Sequence, residues 1–305
     1  MRGPDLVAGI DIGGTNVKAG IVDLTSNVVL ASCDMPTIRD SEQAFLESLV
    51  RMVSELSTQV GTPRAAGISI GSYVFADGSI DGMSSFVPFL VQGYPLGQKV
   101  GQALGLPVRV DNDARLICLA EARSGAGRGF SRVLTLTLGT GIGVGLCENG
   151  APFGREPFIH LAGHIKVRTG GEYPCLDNRA CYCGMRGCFE STCSGTSLQA
   201  FVHERLGADV SIQQAFERAA AGDATAQELV TWYLDMLACA LNQYVYLYCP
   251  DVIVIGGGVA KGLAHYENEL NSRLVAEVYG SQRTVVRITE LREESGVLGA
   301  ASLFA

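Results

Sequence analysis

The stretch Val7-Ala8-Gly9-Ile10-Asp11-Ile12-Gly13-Gly14-Thr15-Asn16-Val17-Lys18-Ala19-Gly20-Ile21-Val22-Asp23 reads as two apolar strands joined by a glycine turn. Glycine reaches positive φ and carries no Cβ, so backbone N–H groups in such a turn can approach an anion closely. The device recurs at Val133 to Cys147, where the turn is Gly139-Thr140-Gly141. One such turn alone reads as an ordinary tight hairpin. Its duplication points instead to two phosphate cradles facing one cleft, and so to a nucleotide phosphotransferase. Neither copy carries G-x-x-x-x-G-K-[ST], and Gly139, Gly141, Gly143 and Gly145 lack the G-x-G-x-x-G spacing, which argues against the P-loop and dinucleotide-binding classes.

Outward from the first turn, Leu6 to Ile12, Asn16 to Asp23 and Val28 to Cys33 form an antiparallel meander. Asp40 with Gln43 resembles a helix N-cap pair, and Phe45, Leu46, Leu49, Val53 and Leu56 repeat at helical spacing until Gly61. A strand over Ala65 to Ile70 follows, then a helix near Leu96 to Ala103. The strand Val108 to Val110 delivers Asp111-Asn112-Asp113 at its C-terminal end, where ligands of α/β sheets gather. A helix over Ala114 to Arg123 leads to Gly125, Gly127 and Gly129, read as a hinge. Beyond the second hairpin, an irregular stretch from Pro152 to Cys193 is too long to be a bare connector. Leu229, Tyr233, Met236, Leu237, Ala240, Leu241 and Tyr244 form a helical stripe of core character, ended by Pro250. Val252 to Ile255 is a buried strand entering Gly256-Gly257-Gly258, and a short helix spans Gly299 to Phe304.

At 305 residues the chain exceeds one compact core, so two lobes of roughly 120 to 180 residues with a cleft between them are expected. The N-terminal α/β lobe is assigned to 1–123, completed by the C-terminal helix within 295–305, and a larger C-terminal α/β lobe to 124–294. No apolar run reaches the ~20 residues of a membrane span. The N-terminus enters a strand without room for a signal peptide, so a cytoplasmic protein is expected. A formal charge of −8 argues against a nucleic-acid partner. Ten cysteines in a chain of this size read as thiols or metal ligands rather than disulfides, and Cys33, Cys118, Cys147, Cys239 and Cys249 as small core hydrophobes. Apolar helices in the second lobe make a homodimer reasonable.

Asp113 is the candidate general base. A hydroxyl attacking a γ-phosphate must lose a proton, and a carboxylate within hydrogen-bond reach can accept it. The alternative is a helix N-cap. Asp11 ends a buried strand beside the first glycine turn, where it can hold Mg²⁺ through water. Lys18 is either a phosphate contact or a solvated strand residue. Cys181-Tyr182-Cys183-Gly184-Met185-Arg186-Gly187-Cys188 places three thiols within eight residues. With His164 upstream they make a closed, structural Zn²⁺ site; Cys175 and Cys193 are rival ligands.

Together these motifs resemble the ROK (repressor, open reading frame, kinase) family of sugar kinases over nearly the whole chain. The carriers are Asp11-Ile12-Gly13-Gly14-Thr15, Asp111-Asn112-Asp113-Ala114, Leu138 to Gly143, Gly163-His164, Cys181 to Glu190 and Gly256-Gly257-Gly258. The resemblance implies an α/β, actin-like (ribonuclease-H-type) two-lobed fold with an interlobe active-site cleft. It implies ATP-dependent phosphorylation of a hexose, commonly at the 6-hydroxyl, with Asp113 as base and Asn112 on a ring hydroxyl. It also implies that His164 both ligates zinc and touches the sugar, and that Glu190 accepts hydrogen bonds near the anomeric end. Gly13, Gly14 and Thr15 with Gly139, Thr140 and Gly141 would hold phosphates, and Gly256, Gly257 and Gly258 would line the adenosine end.

Three departures fall on the sugar side. Leu161 replaces the Glu of the family's Gly-Glu-x-Gly-His, Phe86 stands where Asn is usual, and Gly71-Ser72 replaces Pro-Gly. A missing acceptor in a closed pocket costs roughly 1 to 3 kcal/mol, so glucose is expected to fit poorly unless Arg155, Glu156 or His160 supplies the contact. The competing reading is a sugar-binding sensor related to the family's repressors. Those carry an N-terminal DNA-binding segment for which the ten residues before Asp11 leave no room. An ATP-hydrolysing chaperone or filament protein of the same fold needs no Cys₃His site.

Overall fold

Leu6–Ile12 (β1) and Asn16–Asp23 (β2) pair antiparallel with Asp11 opposite Lys18. Val28–Pro36 (β3) extends the meander three residues further than its apolar pattern shows, because its alternating half-buried edge tolerates Asp34 and Met35. The computed structural model describes residues 3–82, 87–154, 157–167, 178–277, 279–280, 283–291 and 294–305.

Helix α1, Glu42–Val60, is capped by Ser41, whose hydroxyl accepts from the Ala44 N–H, not by Asp40; Gly61 stops it at φ +110°. Ala66–Ile70 (β4), Leu96–Leu104 (α2), Val108–Asn112 (β5) and Asp113–Ser124 (α3) follow. The first sheet runs β3-β2-β1-β4-β5, with β4 parallel to both β1 and β5. The register aligns Asp11, Ser69 and Asp111 across three strands. The parallel strands therefore end on one edge. Phe45, Leu49 and Leu56 of α1 pack with Ile10, Ile21 and Ile68 in the core beneath; burial of each such side chain contributes about 1.5 to 3 kcal/mol.

Arg132–Leu138 (β6) and Ile142–Glu148 (β7) flank the second turn, and Ala151–Pro152 (β8) follows. Phe189–Cys193 (α4), Gly195–Leu206 (α5), Ile212–Ala220 (α6) and Ala224–Tyr248 (α7) lead to Val252–Gly256 (β9). All seven residues of the helical stripe are buried on α7, which ends at Cys249 in the left-handed conformation just before Pro250. Ala260–Leu263 (α8), Glu267–Glu277 (α9), Val285–Ile288 (β10) and Ser295–Ala301 (α10) complete the chain. The second sheet runs β10-β9-β6-β7-β8.

The chain divides into two units, Met1–Gly129 with Gly145–Ile159 and Leu291–Ala305, and Phe130–Val144 with His160–Glu290. The first break falls at the glycine-rich segment after α3. The return of 145–159 to the first unit was not legible in the sequence, because β7 carries the chain across the boundary in mid-strand. Within the first unit α10 lies directly on β1 and β4. A Cβ at Gly67 would overlap the Ala300 carbonyl, and one at Gly9 the Val297 carbonyl. Among the described residues no helix is long and apolar enough to cross a membrane.

Candidate active site

In the first unit the glycine turn is held by its own carbonyls. Thr37 Oγ1 donates to Gly13 O (2.7 Å), the Thr37 N–H to Thr15 O (2.8 Å), and the Arg39 guanidinium to Gly14 O. With its carbonyl oxygens tied back to the protein, the turn can offer N–H groups to an anion. Asp11 precedes it, its Oδ1 accepting from Ser69 Oγ at 2.6 Å. Burial lifts the Asp11 carboxyl above its ordinary range; the Ser69 bond and Lys18 oppose the rise, and the charge of Asp113 adds to it. The Asp11 and Asp113 carboxylates thus share one electrostatic environment.

Asp113 is the first residue of α3, and the cap is Asn112, whose Oδ1 accepts from the Ala114 and Arg115 N–H groups. The simple capping alternative for Asp113 therefore gives way, although Asp113 Oδ1 also accepts from Ala114 N–H at 2.7 Å. Asn112 is buried, and its Nδ2 donates to Ser72 O at 3.2 Å. The Gly71-Ser72 turn thus packs on both residues: a Cβ at Gly71 would come 3.4 Å from Asp113 Oδ2. Behind them half-buried Asp111 forms an ion pair with the buried Arg115 at 2.9 Å.

In the second unit the Gly139-Thr140-Gly141 turn closes on itself, Gly139 N–H to Gly141 O at 3.0 Å. Gly195 N–H donates to Gly139 O (2.7 Å) and Thr196 Oγ1 to Thr140 O (3.0 Å). Glu190 lies against Gly141 and accepts from Ile142 N–H at 3.3 Å. Gly257, at φ +87°, presses on the end of β6, and β9 runs parallel to β6 with Gly256 opposite Thr137. The Gly256-Gly257-Gly258 run and the Gly139 turn are therefore neighbours.

His164, Cys181, Cys183 and Cys188 place their ligand atoms within 4.8 Å of one another. His164 Nδ1 lies 3.5 Å from Cys181 Sγ, and Cys183 Sγ lies 3.7 Å from Cys188 Sγ. Zn–S bonds of ~2.3 Å in a tetrahedron put sulfurs about 3.8 Å apart, so three thiols and an imidazole at these separations fit Zn²⁺. Burial pushes the Cys181 thiol up to about 11. Lys166 Nζ reaches Cys188 Sγ at 3.5 Å and the Arg186 carbonyl. Of the rival ligands, Cys193 is fully buried outside the cluster, and Cys175 lies outside the described residues.

Residues 7–305 match the ROK family. The chain belongs to the ROK family. It is 34% identical to the N-acetyl-D-glucosamine kinase of Escherichia fergusonii, over 97% of this chain and 98% of that one. It is 32% identical to an N-acetylgalactosamine kinase of a Shewanella species, over 97% and 95%. A ROK glucokinase from Streptomyces griseus, solved with glucose and AMPPNP, superposes with a TM-score of 0.75 at 27% identity, covering 98% of each chain. The fold is accordingly actin-like, of the ribonuclease-H type.

In this ROK protein the structure brings together Asp11, Lys18 and Gly13 to Thr15 beside Asp113 and Asn112 in the first unit. In the second it brings together Gly139 to Gly141, Gly256 to Gly258, Glu190 and the Cys₃His set. Leu161 is 43% exposed; Phe86, Arg155 and Glu156 lie outside the described residues. Ser69, Thr37, Gly195 and Thr196 were missed from sequence. Only Ser69 left a signal, as the one polar side chain in Ala66-Gly67-Ile68-Ser69-Ile70.

Proposed function

We propose that this protein is an ATP-dependent sugar kinase that transfers the γ-phosphate to the 6-hydroxyl of a hexose derivative. The observation that carries the reading is the pair Asp11 and Asp113, set where the parallel strands β1, β4 and β5 of a mixed sheet end, beside a glycine turn whose carbonyls are tied back. Asp113 takes the proton of the attacking hydroxyl, and Asn112 fixes the start of α3 that presents it. Asp11, held by Ser69, would carry Mg²⁺ through water, which supplies charge neutralisation at the phosphates. The Gly13 to Thr15 and Gly139 to Gly141 turns bind phosphate oxygens by backbone N–H groups other than those of Gly13 and Gly139, which close the turns on Asn16 O and Gly141 O. Lys18 adds positive charge, and Gly256 to Gly258 line the adenosine.

His164, Cys181, Cys183 and Cys188 would hold Zn²⁺, which stabilises the loop that carries them and orients the sugar-binding side chains. His164 and Glu190 contact the sugar. The apolar Leu161, together with the amino-sugar kinases among its relatives, supports an N-acetylated hexosamine over glucose. A cytoplasmic homodimer acting on a small sugar, without nucleic acid, completes the reading. A coupled assay of ADP release across a hexose and N-acetylhexosamine panel tests it. Sugar-dependent turnover is expected; sugar binding without turnover would indicate a sensor, and sugar-independent turnover an ATPase.

A further inference from the structure

The segment Cys188 to Thr196 carries a metal ligand at one end and three contacts to the nucleotide turn along the rest. Cys188 is the N-cap of α4 and is bridged to Lys166, while Phe189 N–H donates to Ile165 O at 2.8 Å. Two residues after Cys188, the Glu190 carboxylate meets Gly141 and takes the Ile142 N–H. At the other end Gly195 N–H donates to Gly139 O and Thr196 Oγ1 donates to Thr140 O. A Cβ at Gly195 would lie 2.7 Å from Gly139 O, so this approach needs glycine. Ser194 N–H bonded to Glu190 O joins the two ends through one helical turn.

Resting on the kinase reading, we propose that this segment is a clamp through which Zn²⁺ binding at the Cys₃His site tightens nucleotide binding at the Gly139-Thr140-Gly141 turn. A metal fixed on Cys188 fixes where α4 begins, hence where Glu190, Gly195 and Thr196 stand. Those three groups set the position of residues 139, 140 and 142. Gly139 and Gly141 have little intrinsic preference to hold that shape unaided. Zinc thereby acts on the phosphate end of the substrate pair as well as on the sugar side chains. Linkage makes the coupling reciprocal: whatever factor zinc adds to nucleotide affinity, nucleotide adds to zinc affinity.

The test uses calorimetric binding of AMPPNP with excess Mg²⁺, which needs no turnover. Stripping zinc with a zinc-selective chelator, with fold monitored by circular dichroism, should weaken AMPPNP binding about tenfold. Mg²⁺-AMPPNP should tighten zinc by the same factor. Thr196→Val should keep its zinc, bind AMPPNP about threefold to tenfold less tightly, exchange amides faster over 138–142, and show a smaller zinc–nucleotide coupling. Unchanged AMPPNP affinity in the folded, zinc-free protein overturns the clamp. If stripping unfolds the protein, the decision passes to Thr196→Val, where unchanged nucleotide affinity and coupling overturn it. A zinc-loaded wild type that binds no AMPPNP refutes the kinase reading itself, and the clamp with it.

Discussion

Substitution along Gly256-Gly257-Gly258 separates a steric requirement from a binding role within three consecutive residues. Gly257 has φ +87°, and a Cβ added there would sit 2.5 Å from Leu138 O, 2.7 Å from Leu138 C and 2.8 Å from Leu138 N. Ordinary contact begins near ~3.4 Å, so β6 must retreat by roughly 0.9 Å, and the atoms in the way are backbone. Positive φ for alanine adds about 1 to 2 kcal/mol. Overpacking adds about 1 to 3 kcal/mol more, for a total near 3 kcal/mol. At about 2 to 4 °C per kcal/mol for units of this size, Gly257→Ala should lower the melting temperature by roughly 6 to 12 °C.

Leu138 is the residue before the Gly139 turn, so the same displacement should weaken AMPPNP binding while leaving the sugar KM unchanged. Gly258 meets nothing within 4 Å and Gly256 only the Thr289 side chain at 3.7 Å. Gly258→Ala should leave the melting temperature within about 1 °C, and should weaken nucleotide binding only if that residue lines the adenosine. Differential scanning fluorimetry and calorimetry with AMPPNP read both quantities. A Gly257→Ala protein that melts and binds nucleotide like the wild type would show that β6 and β9 do not hold the turn as described.

Asp113→Asn should cut turnover by at least about a thousandfold while AMPPNP binding is retained; turnover within tenfold of wild type would remove Asp113 from proton transfer. Asp11→Asn should stabilise the metal-free protein at neutral pH, because burial raises the folded-state pKa of this carboxyl. The wild-type penalty is absent below the unfolded value, grows as pH rises from there to the folded one, and is complete above it. The variant's advantage should therefore vanish in acid, and thermal melts from pH 4 to 8 without Mg²⁺ would show it. Lys166→Met should weaken zinc binding severalfold in a chelator competition by removing the ammonium beside Cys188. Zinc affinity should itself fall steeply with decreasing pH, since burial pushes the Cys181 thiol up to about 11 and its proton must leave on binding.

The strands around the two turns, the stripe on α7 and the Cys₃His set were legible because each is a local pattern: apolar runs broken by glycine, seven residues at helical spacing, three thiols within eight positions. What stayed hidden depends on chain reversal. Ser41 displaced Asp40 as cap because either side chain satisfies the same first-turn N–H groups, and only the entry direction decides between them. Ser69 reads as a strand residue until β1 lies beside β4 in register and brings Asp11 within 2.6 Å. Gly195 and Thr196 look like an ordinary helix start after Ser194, and their contacts to Gly139 and Thr140 span more than fifty residues.

That division has a chemical reason. Most of the groups that the kinase reading sets against substrate stand in glycine turns, at strand ends or in the first turn of a helix, where sequence signals are strong because glycine and aspartate are costly elsewhere. Groups that hold those turns in shape need only one hydroxyl or one N–H at the right distance, which many residues supply and no motif records. Thr196 holds its turn with one hydroxyl, Thr37 with a hydroxyl and its N–H, and Ser69 holds Asp11 beside the first turn with one hydroxyl. Substitutions at such positions should accordingly leave the motifs intact while loosening substrate affinity, so an intact motif set is a necessary condition for activity and not a sufficient one.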